Sequence, residues 1–179
     1  MKARTLLTKE EIHIILNRLA CQLIENHGDF SNSVLIGLQP RGSYLAKRLK
    51  HLLEQNHHID NVQLGLLDTT FFRDDFRRRE SPLEANSTQI DFLVEGKKVV
   101  FIDDVLYSGR SVRAGLTAIQ SFGRPKEIEL LVLIDRRFSR HLPIQPDYKG
   151  RQVDVLNQDR VIVNWKDEGN QDEVLITND

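Results

Sequence analysis

Residues Val99 to Ser111 read VVFIDDVLYSGRS. Four apolar residues in succession, Val99 to Ile102, make a short strand buried on both faces. The strand runs into two adjacent carboxylates, Asp103 and Asp104. A Ser-Gly-Arg-Ser turn follows, and then Val112, Gly115, Leu116, Ile119 and Phe122 fall at helical spacing. Gly123 and Pro125 stop that helix. Strand, turn and helix in this order are half of a βαβ unit.

The same alternation extends to either side. Upstream, Thr8 and Glu11 form a capping-box pair ahead of a helix whose apolar face is Ile12, Ile15, Leu16, Leu19, Ala20, Leu23 and Ile24, and Gly28 stops it. Val34 to Leu38 is a buried strand, and the loop Gln39-Pro40-Arg41-Gly42 leads to a second amphipathic helix bearing Leu45, Ala46, Leu49, Leu52 and Leu53. Val62 to Leu67 reads as a strand. Residues 71–93 are rich in charge and lack a sustained period, so they read as a long functional loop. Downstream, Ile128 to Ile134 is an apolar strand ending in Asp135-Arg136. Short strands are expected near 152–156 and 160–165, and the acidic end, 166–179, reads as a frayed tail or an edge strand. The expectation is α/β: one domain over 1–179 with a mostly parallel central sheet flanked by helices. Ligands of such sheets bind beyond the carboxyl ends of the strands. Three loops converge there, 39–42, 103–111 and 135–141.

The 103–111 loop has the parts of an anion site. Gly109 lets backbone come close, Ser108 and Ser111 offer hydroxyls, and the helix start offers free N–H groups. Asp103 and Asp104 repel a phosphate but suit sugar hydroxyls or a metal–water shell. Together they describe a site for a ribose 5-phosphate. The plainer alternative is a strand–turn–helix whose two aspartates merely cap the helix. Neither a Walker A loop nor a G-x-G-x-x-G fingerprint is present.

Composition narrows the classes. The chain has 179 residues, 28% charged and 40% hydrophobic, with formal charge −1. That excludes a globally basic nucleic-acid binder, though not a local basic patch. Residues 151–179 carry three basic and seven acidic side chains. Cys21 is the only cysteine, so no intramolecular disulfide and no multi-cysteine zinc site can form. No apolar run approaches the ~20 residues that span a bilayer. MKARTLLTKEE turns acidic before any apolar signal segment develops, and a cytoplasmic location is expected.

VVFIDDVLYSGRS resembles the 13-residue PRPP-binding signature of type I phosphoribosyltransferases. More narrowly, the chain resembles the PyrR family of pyrimidine operon attenuators and uracil phosphoribosyltransferases. The matching stretches are QPRGSYLAKRL at 39–49, DTTFFRDDF at 68–76, DDVLYSGRSVRAGLTAI at 103–119, GRP at 123–125, and LIDR, LP and DY between 133 and 148. The resemblance implies a type I phosphoribosyltransferase fold with a small hood, here about 136–160, and a flexible loop at about 71–93. The implied reaction joins uracil to PRPP and gives UMP and pyrophosphate. Mg²⁺ is the implied cofactor, held mainly by substrate and water with no direct protein ligand. Asp103 to Ser111 (Asp103, Asp104, Val105, Leu106, Tyr107, Ser108, Gly109, Arg110 and Ser111) would bind PRPP and its 5′-phosphate, with both aspartates on the ribose hydroxyls. Arg41 and Gly42 would hold pyrophosphate, joined by Arg73 from the flexible loop. Arg77, Arg78 and Arg79 are weaker candidates for the same task. Arg136, Tyr148 and Val153 would form the base pocket.

The family also implies attenuator RNA as a partner, with Lys9, Arg18, Arg136, Arg137, Arg140 and His141 as candidate contacts, and a homodimer or higher homo-oligomer. No membrane partner is implied. The segment Asp135 to Pro143 departs from the family's Asp-Arg-Gly-His-Arg-Glu-Leu-Pro: Arg137 replaces glycine and one residue is added. Three readings stay open: a uracil phosphoribosyltransferase, a non-catalytic UMP sensor that binds RNA, and a phosphoribosyltransferase for hypoxanthine or xanthine.

Overall fold

The computed structural model of the chain describes residues 3–72, 86–155 and 159–178. In chain order the main elements are β1 (Ala3–Leu7), α1 (Lys9–His27), β2 (Ser33–Gln39), α2 (Gly42–His57), β3 (Gln63–Asp68), β4 (Lys98–Leu106), α3 (Arg110–Ala118), β5 (Glu127–Arg136), β6 (Tyr148–Val153), β7 (Asp159–Asn164) and β8 (Glu173–Asn178). Five strands form the central sheet in the order β3-β2-β4-β5-β6, and every neighbouring pair is parallel. All carboxyl ends therefore lie on one rim, which is where the expected loops emerge.

Local chemistry sets the helix limits. At the start of α1 the Glu11 N–H donates to Thr8 Oγ1 at 3.3 Å, and the Thr8 N–H donates to the Glu11 carboxylate at 2.8 Å. This reciprocal pair satisfies two donors that the helix leaves open. Gly28 ends the helix at φ +58°, a conformation that favours glycine. α3 is shorter than its apolar period implies, because Ile119–Phe122 tightens into a 3₁₀ turn before Gly123.

Alternation along the strands divides the core. Val100 and Ile102 of β4, with Leu131 and Leu133 of β5, pack with α1 and α2. Val99 and Phe101, with Leu130 and Val132, pack with α3. Of the loop expected at 71–93, residues 71–72 and 86–93 are described and 73–85 lie outside the described residues. Its start is a 3₁₀ turn, Thr70–Phe72. Its end folds back on β3: Leu66 and Gln89 exchange backbone hydrogen bonds of 2.9 and 2.8 Å, and the Asp68 N–H donates to Thr88 Oγ1 at 3.1 Å. Ile90 and Phe92 then pack against the α3 side of the core.

A second, three-stranded antiparallel sheet has the order β1-β8-β7. This corrects two expectations. The hood expected at 136–160 is not where the small sheet lies, since Tyr148–Val153 is the edge strand of the main sheet. The acidic end is not frayed, since β8 is the middle strand of the small sheet. Its carboxylates have partners: Arg48 of α2 bonds Asp167 at 2.9 Å and Asp172 at 2.7 Å, and stacks 4.6 Å over Trp165. Trp165 itself is fully buried among Leu7, Val163 and Val174. β1, which the sequence reading left without structure, is the other partner of β8.

Candidate functional site

β4 does not stop at Ile102. It continues through both aspartates to Leu106. Adjacent strand residues leave on opposite faces, and the two carboxylates part accordingly. Asp103 lines a cavity of about 190 Å³ together with residues 105–112. Asp104 is buried on the other side, its carboxylate accepting the Val105 N–H at 2.7 Å and Arg41 Nε at 2.8 Å. Both are expected on the same sugar, but the strand geometry gives them different neighbours.

The cavity is built by the turn between β4 and α3. Its lining includes Val105, Leu106, Tyr107, Ser108, Gly109, Arg110 and Ser111, so that of the stretch expected to bind PRPP only Asp104 is absent from it. Gly109 sits at φ +89° and immediately precedes α3. A non-glycine residue there would be strained, and its side chain would meet Ile144 at 3.2 Å. The turn thus delivers backbone, two serine hydroxyls and a helix start to one small space, which is the donor set an anion needs.

Arg41 and Gly42 come to the same rim from the loop after β2. A Cβ on Gly42 would lie 2.2 Å from the carbonyl oxygen of Ile102 and 3.0 Å from Cα of Asp103. Glycine is what lets this loop press against β4. Arg41 spans three elements: Asp104 on β4, the carbonyl of Val163 on β7, and Glu168 at 3.8 Å. Burial acts against its charge, but the bond and charge of Asp104, aided by Glu168, outweigh that and hold it above its ordinary value. A permanently charged planar fork on the same rim of the sheet is suited to a pyrophosphate. Arg73, and with it Arg77, Arg78 and Arg79, lies outside the described residues.

The remaining candidates divide. Arg136 is buried with its guanidinium 4.1 Å over the ring of Tyr107, so it flanks the turn directly. Desolvation lowers its pKa, with Asp159 acting the other way. Val153 pairs with Arg136 at the carboxyl end of β6, and its carbonyl accepts the Arg137 N–H at 3.1 Å. Tyr148 is a correction. It begins β6, at the opposite end from the site, and its hydroxyl meets Glu129 at 2.8 Å and His27 Nε2 at 3.1 Å. A parallel strand that carries Val153 to the rim must carry a residue five positions earlier away from it.

The basic side chains are more engaged than their sequence suggests. Arg18 is exposed and donates to the carbonyls of Lys149 and Gly150, at 3.2 and 2.5 Å. Arg137 is half-exposed and paired with Asp154 at 2.7 Å. His141 is exposed, while its backbone N–H donates to the Ser108 carbonyl at 3.1 Å. Arg140 turns inward on to Asp135 and the carbonyls of Leu106 and Tyr107. Asp135 is close in sequence, but the two carbonyls belong to backbone 34 and 33 residues earlier, so no residue pattern announces them. Among the described residues, no group of three or more His, Cys, Asp or Glu side chains is placed to hold a metal ion.

The site thus joins a small turn cavity after the central strand to an arginine loop that reaches the second sheet through the Val163 carbonyl. The family model described as a phosphoribosyl transferase domain matches residues 3–165. The chain is 44% identical over 169 residues to the bifunctional protein PyrR of Gloeothece citriformis, covering 94% of each chain. It is 39% identical over 162 residues to that of Enterococcus faecalis, covering 90% of this chain and 89% of the other. Among solved structures, a hypoxanthine-guanine phosphoribosyltransferase from Leishmania tarentolae in complex with GMP superposes with a TM-score of 0.71 at 15% identity. It covers 100% of this chain and 99% of that one, a likeness of fold alone. The chain belongs to the PyrR family of phosphoribosyltransferases.

Proposed function

We propose that the protein transfers the phosphoribosyl group of PRPP to uracil, giving UMP and pyrophosphate. The observation that carries this reading is the convergence of the 103–112 cavity and the Arg41–Gly42 loop on one rim, with Gly42 in backbone contact with β4. An anion cradle and a guanidinium brought to the same rim suit a substrate with phosphate at one end and pyrophosphate at the other. Resemblance to bifunctional PyrR proteins supports the pyrimidine and a second, RNA-directed role.

In this reading the N–H groups and hydroxyls of the turn hold the 5′-phosphate, and Asp103 holds the ribose hydroxyls from within the cavity. Asp104 holds Arg41, and Arg41 neutralises the departing pyrophosphate. Tyr107 and Arg136, stacked on each other, form one wall for the base. Orientation and charge neutralisation of a leaving group are the larger part of what such a site supplies. Mg²⁺ is a hard cation that prefers oxygen ligands and keeps waters. The oxygens of PRPP, with its ribose hydroxyls held by Asp103, and water would supply its donors, since among the described residues no group of three or more His, Cys, Asp or Glu side chains is placed to hold it. When bound, it adds positive charge to the pyrophosphate.

RNA recognition rests on the edge of the main sheet, where exposed Arg18, Lys149 and Arg151 lie together. Arg18 bonds the Lys149 carbonyl, and Arg151 bonds the Leu6 carbonyl at 2.8 Å. Such contacts are to phosphate and weaken steeply with salt. The deciding experiment is pyrophosphate release from PRPP with Mg²⁺, run with uracil, hypoxanthine, xanthine and no base. Release with uracil alone is expected. Release only with a purine overturns the base assignment, and no release with UMP still bound moves the site to a sensor.

A further inference from the structure

Arg140 lies outside the cavity, yet it holds the cavity's wall. Its Nη1 donates to the carbonyls of Leu106 at 3.1 Å and Tyr107 at 2.6 Å. Its Nη2 pairs with the buried carboxylate of Asp135, which also accepts from Gln152 Nε2 at 3.1 Å. The next residue continues the pattern, since the His141 N–H donates to the Ser108 carbonyl. Three successive carbonyls of the turn are thus drawn to the 140–141 segment. Leu142 and Ile144 pack beside Gly109 on that same outer side, and neither lines the 190 Å³ cavity.

A trans peptide unit is planar, and its N–H points opposite to its C=O. Drawing the carbonyls of Leu106, Tyr107 and Ser108 outward therefore turns the N–H groups of Tyr107, Ser108 and Gly109 the other way, toward the cavity. We propose that Arg140 is a positioning residue for the 5′-phosphate: it fixes the orientation of these peptide units through their carbonyls and never touches the ligand. The proposal deepens the phosphoribosyl reading above and rests on it. An arginine is suited to this work because its planar fork is always charged and serves two carbonyls and a carboxylate at once. Bonds from a charged donor are also stronger than those between neutral groups.

The test is ligand affinity by titration calorimetry, with UMP, uridine and pyrophosphate as probes on wild-type, Arg140→Ala, Arg140→Lys and Asp135→Asn proteins. Wild type is expected to prefer UMP to uridine strongly. Arg140→Ala is expected to lose tenfold or more in UMP affinity, while uridine and pyrophosphate change less than twofold. Arg140→Lys keeps the charge but not the fork and is expected to fall between the two. Millimolar guanidinium ion should restore part of the UMP affinity to Arg140→Ala and leave wild type unchanged. If Arg140→Ala fails to fold, the Lys and Asp135→Asn variants carry the same comparison. A UMP-to-uridine ratio that stays at the wild-type value in the variants overturns the proposal. Equal losses for UMP and pyrophosphate overturn it too, because they signal general loosening. A wild-type protein that does not distinguish UMP from uridine would instead refute the phosphate reading of the turn itself.

Discussion

Gly42→Ala isolates one contact on which the site depends. The added methyl would lie 2.2 Å from the Ile102 carbonyl oxygen and 3.0 Å from Asp103 Cα. Both obstacles are backbone of the central strand, so neither can turn aside as a flexible side chain would. Relief requires the 39–42 loop to lift from β4 by roughly 1 Å, a displacement of the kind that costs a positioned reaction about 100-fold. Forcing a methyl into a filled space also costs about 1–3 kcal/mol of stability, and a domain of this size loses about 2–4 °C of melting temperature per kcal/mol. The assay is steady-state kinetics on PRPP with thermal denaturation of the same samples. The expected result is a fall in kcat/KM of about two decades with a modest drop in Tm, and pyrophosphate affinity falling while UMP affinity holds. Wild-type kinetics in a folded Gly42→Ala protein would show that the loop does not need to touch β4, and the argument for the pyrophosphate site would fail with it.

Three further perturbations probe the surroundings. Arg48→Ala removes the ion pairs to Asp167 and Asp172 and uncovers Trp165; a loss of about 1–3 kcal/mol and a red shift of the emission of the sole tryptophan are expected, and an unchanged spectrum would contradict the stacking. Tyr148→Phe leaves His27 and Glu129 without their shared hydroxyl and is expected to cost about 1–3 kcal/mol in denaturant titration without altering kcat; a selective loss of uracil affinity would return Tyr148 to the base pocket. Burial lowers the pKa of His27 below its ordinary 6.5, with Glu129 opposing. The unfolded chain therefore binds the proton more readily, and stability is full above about 6.5 and declines as pH falls from there toward the lower folded value. His27→Gln is expected to flatten that part of the stability–pH curve, and an identical slope in both proteins would exclude the histidine as its source.

The parallel framework was legible because each of its central strands is an uninterrupted apolar run and each helix a single periodic face. Residues 34–38 and 128–134 lie within observed strands, and of 62–67 all but Val62 do. The small sheet was not legible for a physical reason. β1 and β8 are far apart in sequence, and a charge-rich end looks like a solvated tail when its partners are invisible. Asp167 and Asp172 are read as solubilising until Arg48, more than a hundred residues earlier, is placed beside them. The same holds for the last third of the expected loop, whose Ile90 and Phe92 gain meaning only against β3.

At the site, residue type was legible and orientation was not. An Asp-Asp pair followed by Ser-Gly-Arg-Ser supplies the groups of an anion cradle with hydroxyl-seeking neighbours, and the same residues equally suit a strand–turn–helix whose aspartates cap the helix. Whether the two carboxylates act together depends on whether the strand has ended. Once β4 runs through to Leu106, alternation sends Asp103 to the cavity and Asp104 to Arg41. Arg140 makes the same point from the other direction. Its sequence neighbours, Arg137 and His141, suggest a basic surface, but its donors are spent on backbone carbonyls and a buried aspartate. A carbonyl has no letter in a sequence, so a side chain that works by orienting backbone can be found only after the fold has said which way each peptide faces.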